Sequence, residues 1–227
     1  MVIFEKSLFF NNQTAFFYIV LSTFFFTMMS TTVKYLSDFG AFQLVFFRSM
    51  ETLVFSTGFL LLKKISFWGN QKQLLMLRGF TGASSMLLFF LALHFMTLGS
   101  AVTLHYTAPL FVALLAVLFL GEKIKFIQWV CIGISFMGVI LVKGFDATID
   151  FFGLVVILLA SLTSALSYIL ISKMGSKDHY MVIINYFMLT ATLLGALGSL
   201  FQWKNPHGMA LSFIVGNHRL DRSGIDD

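Results

Sequence analysis

Charge is scarce in this sequence. Asp, Glu, Lys and Arg make up 11% of its 227 residues, where a soluble domain carries roughly 25%. So few charges cannot cover a water-facing surface. Cysteine is almost missing: Cys131 stands alone, so no intrachain disulfide can form. Its place inside an apolar run reads as a small buried residue rather than a reactive thiol. There is no HExxH pattern, no GxSxG elbow and no GxxxxGK phosphate loop. Five scattered histidines and one cysteine make no metal cluster. No enzyme, metal or cofactor is expected on these grounds. The net charge of +5 is no nucleic-acid signature either, because its Lys and Arg sit at the ends of apolar runs, as topology signals do.

What is present is apolar. Hydrophobic residues make up 58% of the chain and phenylalanine alone supplies 29 residues. They come in long runs, which predicts helices in lipid; the short alternating strands of a membrane barrel are not seen. A span takes about 20 apolar residues, and seven segments qualify, near 15–35, 41–62, 75–95, 100–120, 126–143, 151–172 and 180–202. The expected fold is therefore an all-α, polytopic transmembrane bundle of about seven spans with short connections. The run from Ala15 is too long for a signal-peptide core and lacks a clear cleavage site, so it reads as a retained first helix after an N-terminal segment 1–14. An eighth apolar stretch starts near Met209 and ends at Gly216, too short to span, before a polar tail over 217–227.

Lys and Arg alternate in the loops. Lys63, Lys64 and Lys72, with Arg78 opening segment 3, then Lys123 and Lys125, then Lys173 and Lys177, fall on one side with Lys6. The opposite loops hold only Lys34, Lys143 and Lys204, beside Asp38, Asp146 and Asp150. The positive-inside rule predicts a cytoplasmic N-terminus and a multi-pass cell-membrane protein whose surroundings are the lipid bilayer.

Arg48 and Glu51 lie inside segment 2, three residues apart on one helix face. Ionisable groups at such depth are costly unless paired or facing a cavity. They read either as a self-neutralising pair or as a cavity group, Arg48, beside a proton or counter-charge site, Glu51. The run His105-Tyr106-Thr107-Ala108-Pro109 is the second constellation. Pro109 cannot donate to the carbonyl of His105, and a free carbonyl inside a membrane helix must be satisfied. It is met by Thr103 or Thr107 in a plain kink, or it lines a binding site. Tyr168 is placed to line a cavity or to anchor at an interface, and His94 to reach the outer interface. Asn185 is interhelical glue or a substrate contact. Gly79, Gly82, Gly133 and Gly138 are read as packing positions. Gly121 suits a helix C-cap, and Glu122 the start of the next helix.

A weak internal repeat is visible. Lys34 precedes Phe46-Phe47-Arg48 as Lys173 precedes Asn185-Tyr186-Phe187, with 14 residues from Lys34 to Arg48 and from Lys173 to Phe187. An odd number of spans separates the units, so they would lie inverted, as transporter repeats do.

These residues resemble the EamA branch of the drug/metabolite transporter superfamily. The likeness runs through Lys34 with Phe47-Arg48, Arg78-Gly79 with Phe90-Leu91-Ala92-Leu93, and Thr107-Ala108-Pro109-Leu110-Phe111. It continues in Leu120-Gly121-Glu122, then Gly133, Gly138 and Val139. It implies two inverted five-helix repeats around a central cavity and alternating-access transport of a small metabolite, such as an amino acid or S-adenosylmethionine. The first repeat would occupy 15–143 and a partial second one 151–216, in a bacterial inner membrane. The family's remaining three helices have no counterpart here. That sets a second expectation beside the permease: a truncated, non-transporting remnant or membrane interaction partner. A homodimer would complete the missing wall. An intramembrane enzyme is the third and weakest reading, since no acidic or thiol partner accompanies His94 and His105.

Overall fold

The structure is a computed structural model that describes residues 12–36, 39–120 and 150–201, with 127, 129–130, 132–134, 137–138, 141 and 203. Among the described residues seven helices have defined bounds: α1 (Asn12–Tyr35), α2 (Ala41–Leu62), α3 (Lys72–Ala92), α4 (Leu98–His105), α5 (Ala108–Leu120), α6 (Phe151–Met174) and α7 (Tyr180–Ser199). They supply six membrane-spanning units by length and apolarity, with α4 and α5 forming one of them. The fold is a polytopic helical bundle. The predicted span over 126–143 falls largely outside the described residues, although those described between 127 and 141 are helical. Gly121, Glu122, the stretch from Met209 and the polar tail lie wholly outside them.

Segment 4 is one span built from two helices. Pro109 is the second residue of α5, in the first turn, where a missing N–H costs least. The carbonyl it strands, that of His105, is met weakly. Thr107 Oγ1 donates instead to the carbonyl of Leu104 at 2.8 Å. Ser161 of α6 spends its single hydroxyl proton mainly on the carbonyl of Ile157 at 2.9 Å, and reaches the carbonyl of His105 only at 3.4 Å. The kink expected from the sequence is present, and its partner comes from another helix.

Helix α3 is the centre of the bundle. It packs against both α6 and α7, while α2 lies along α7 and α5 along α6. Both ends of α3 are capped by other parts of the chain. At its C-terminus, the half-buried Lys34 of α1 donates from Nζ to the carbonyls of Leu93 and, at 3.0 Å, Met96. The Leu93 carbonyl, at the C-cap of α3, is one a helix end leaves without a partner, and the ammonium meets the negative end of the helix dipole. His94 adds ring contacts to the carbonyls of Phe90 and Phe39, so it serves the same helix end from an exposed position. At the N-terminus, the buried Asp178 from the α6–α7 loop accepts from the backbone N–H groups of Asn70 and Gln71. Gln71 and Asn70 return bonds to the carbonyls of Met174 and Lys177. The loops carrying Lys63, Lys64 and Lys177, with Lys173 in the last turn of α6, thus meet at one end of the bundle. Replacing Lys34 with Met is expected to cost about 1–2 kcal/mol, the scale of a charge-assisted bond at a helix end. A lowered unfolding midpoint in detergent would report it, and an unchanged midpoint would count against the capping role.

The α2–α7 seam shows a symmetry that the sequence only hints at. Shifting residue numbers by 139 turns Lys34 into Lys173, Phe46 into Asn185 and Ser56 into Gly195. In the structure Asn185 Nδ2 donates to Ser56 Oγ at 3.1 Å and to Thr57 Oγ1 at 2.8 Å. Gly195 in turn lies against the backbone of Phe46. The two contacts exchange under the same shift, as they must if α2 and α7 cross about a local twofold axis.

Candidate functional site

A cavity of about 190 Å³ opens where α3 meets α6 and α7. Its wall combines Arg48 from α2, Arg78, Gly82, Ser85, Met86 and Phe89 from α3, and His105 from α4. Ser164, Ser167 and Tyr168 come from α6, Phe187 from α7 and Phe26 from α1. Both cations stand inside spanning helices, a placement that is expensive in lipid unless function or partners compensate it.

Arg48 donates from Nη1 to Met86 Sδ at 2.9 Å and stands 5.6 Å from the centre of the Phe90 ring. A thioether and a π face are weak partners for a guanidinium. Arg78 is held differently. It lies over the Phe187 ring at 4.8 Å from its centre, and its buried Nε and Nη1 meet no acceptor among the described residues. Gly82, one turn on, makes this pose fit, since a Cβ there would collide with Arg78 Nη1 and crowd the Phe187 ring.

The third polar feature is a hydroxyl relay. Ser85 Oγ donates to the carbonyl of Ala160 at 2.9 Å, which uses its only proton. Ser164 therefore donates to Ser85, at 2.6 Å. At the next contact, 3.4 Å away, His105 Nε2 must then be the donor to Ser164. This order makes the neutral His105 its Nε2–H tautomer and leaves Nδ1, which is buried with no partner among the described residues, as a bare acceptor. The face of Phe89 packs 5.1 Å from the imidazole.

Of the residues singled out in the sequence, Arg48, His105 and Tyr168 are brought together here. Four others lie outside the cavity wall. Glu51 is exposed on α2, because residues three apart on a helix still diverge by about 60°. Tyr106 is 66% exposed at the end of α4, and Pro109 is exposed on α5. Asn185 is buried against Ser56 and Thr57, which is the glue arrangement. Lys34 caps α3, and Gly79 lets α3 approach Thr190 and the backbone of Tyr186. Gly133 and Gly138 have no such neighbour among the described residues. The sequence reading missed Arg78 as a cavity residue, having counted it with the loop charges. Its two-residue neighbourhood with Gly79, and Gly82 one turn later, were the available signal: a cation followed by a missing side chain on its own face.

A broken span and two intramembrane arginines around a small internal cavity are features that transporter sites share. The comparison with known proteins agrees. The EamA-like transporter family matches residues 13–144, and the chain belongs to that family. It is 31% identical to the pseudopaline exporter CntI of Pseudomonas aeruginosa over 180 residues, which are 77% of this chain and 62% of that protein. It is 26% identical to solute carrier family 35 member G1 of Mus musculus over an alignment of 234 positions that covers 92% of this chain and 58% of that protein. The chain thus spans about three-fifths of the length of the curated relatives it matches. No solved structure matches it.

Proposed function

We propose that this chain acts as a multi-pass permease, moving a small polar metabolite by alternating access through the cavity around Arg48. The observation that carries the reading is the cavity itself. Two cations, a histidine and a set of hydroxyls face one internal space, and that space is walled by helices from both sides of the α2–α7 seam. Positions 48 and 187, equivalent under the 139-residue shift, both line it, which supports a cavity on the axis between two inverted units. The first unit would cover 15–143, in keeping with the family match over 13–144, and the second would begin at 151. Relatives described as an exporter and as a solute carrier support transport. The clustering of the basic loops at one end supports a cytoplasmic N-terminus in a cell membrane, and the bacterial exporter supports an inner membrane.

Accumulation of radiolabelled amino acids and S-adenosylmethionine in membrane vesicles tests this. Arg48→Ala should lower the accumulation of the transported solute about tenfold to a hundredfold at equal membrane insertion, the value of one charged hydrogen bond. Flux unchanged by Arg48→Ala would remove the residue from the pathway.

A further inference from the structure

Among the cavity's groups, Arg78 is the one whose bonding is least complete. Buried donors such as Nε and Nη1, left without an acceptor, are penalised by their full desolvation, and Phe187 offers only its π face in return. Yet Arg78 is not left to drift. Gly82 and Phe187 fix it from two sides, and α3 is capped at both ends by Lys34 and Asp178. A cation held in place beside a cavity, with no acceptor for Nε and Nη1 among the described residues, is arranged for an anion that comes and goes. None of the described residues lining the cavity is acidic, so an anionic solute would bring the counter-charge that they do not.

We infer that Arg78 is the anion-binding residue of this cavity and that the solute it takes is a small carboxylate with an apolar body. The inference rests on the transport reading for its physiological sense but not for its test. Three properties of the site select this class. The planar fork of a guanidinium matches a carboxylate. The wall beside it carries three phenylalanines, Phe26, Phe89 and Phe187, which suits an apolar body rather than a fully hydrated ion. The volume of about 190 Å³ is near the roughly 150 Å³ of a cavity that admits benzene and below the 300–1,000 Å³ of sites for drug-sized ligands. A small aromatic acid matches this volume.

Benzoate is a suitable probe, with benzamide as its uncharged isostere and inorganic phosphate as a second oxyanion. The full chain in lipid nanodiscs would be titrated with each while its thermal unfolding midpoint is followed. Benzoate is expected to raise the midpoint, whereas benzamide and phosphate leave it in place. Arg78→Gln should weaken benzoate about tenfold to a hundredfold, the worth of a charge-assisted bond, and Arg78→Lys should recover part of that loss. Equal stabilisation by benzamide, or stabilisation by phosphate in place of benzoate, would overturn the carboxylate assignment. So would no response to benzoate in the unaltered chain, a result that does not depend on whether the Arg78 variants fold. Benzoate binding that depends on Arg78 in a chain without vesicle flux would uphold this inference and sink the transport reading. Flux without any benzoate response would do the reverse.

Discussion

Gly195→Leu is expected to part α2 from α7 and to abolish recovery of the folded, monodisperse chain from membranes, while Gly58→Leu leaves recovery unchanged. The difference lies in what a side chain would strike. A Cβ at Gly195 would stand 2.7 Å from the backbone nitrogen of Phe46, 2.9 Å from its Cα and 3.0 Å from the carbonyl oxygen of Phe42. These are backbone atoms inside a hydrogen-bonded helix and cannot rotate away. At Gly58 nothing lies within 4 Å. Helices in lipid gain no hydrophobic drive from associating, so close packing and interhelical hydrogen bonds hold them together. Separating the seam also breaks Asn185 from Ser56 and Thr57 and the 3.0 Å bond from Thr192 to Ser49. Overpacking alone costs about 1–3 kcal/mol, and leaving a buried donor unpaired adds about 1–3 kcal/mol more. Size-exclusion profiles of the two variants at equal expression would decide it; a normal Gly195→Leu profile would show that the seam can yield.

How much of this was legible beforehand differs between frame and site. The spans were legible because membrane helices announce themselves through run length, and the break at Pro109 because a missing N–H acts locally. Asn185 could be read only as one of two things, since a buried amide has the same chemistry as glue and as ligand contact; the identity of its partners, Ser56 and Thr57, is tertiary information. The glycine that matters most for the α2–α7 seam, Gly195, was passed over for Gly133 and Gly138. Composition shows where a small residue stands but not which helix passes over it.

The misreading of Arg78 has a geometric cause. Apolar content places the start of segment 3 near 75, which leaves Arg78 at the membrane edge with Lys72. The helix in fact begins at Lys72, so Arg78 lies about 9 Å into it at 1.5 Å per residue. Its side chain runs inward because Gly82 leaves room and Phe187 offers a face. Arg48 was easier: with no charged neighbour before it in segment 2, it could only be deep. Two arginines with the same chemistry were thus separated by a boundary error of a single helical turn.

That geometry carries the second large effect. Gly82→Val should cost the chain its carboxylate binding about tenfold or more while leaving its folding nearly intact. A Cβ at this position would collide with Arg78 Nη1 and stand 3.0–3.1 Å from the Phe187 ring. All are parts of movable side chains, so the helices need not separate, but the guanidinium must leave its seat. If the glycine matters only as room for Arg78, the two residues must be coupled. A double-mutant cycle measures that coupling: Gly82→Val should weaken benzoate strongly in the parent chain and hardly at all once Arg78 is Gln. Losses that simply add would mean that Gly82 serves the packing of α3 against α7 and not the seating of Arg78. The cycle reads binding in nanodiscs, so a variant that still unfolds cooperatively there gives a valid corner. The coupling should also leave Arg48 untouched, since its contacts to Met86 and Phe90 do not pass through Gly82, and Arg48→Ala should weaken binding by the same factor with or without the valine.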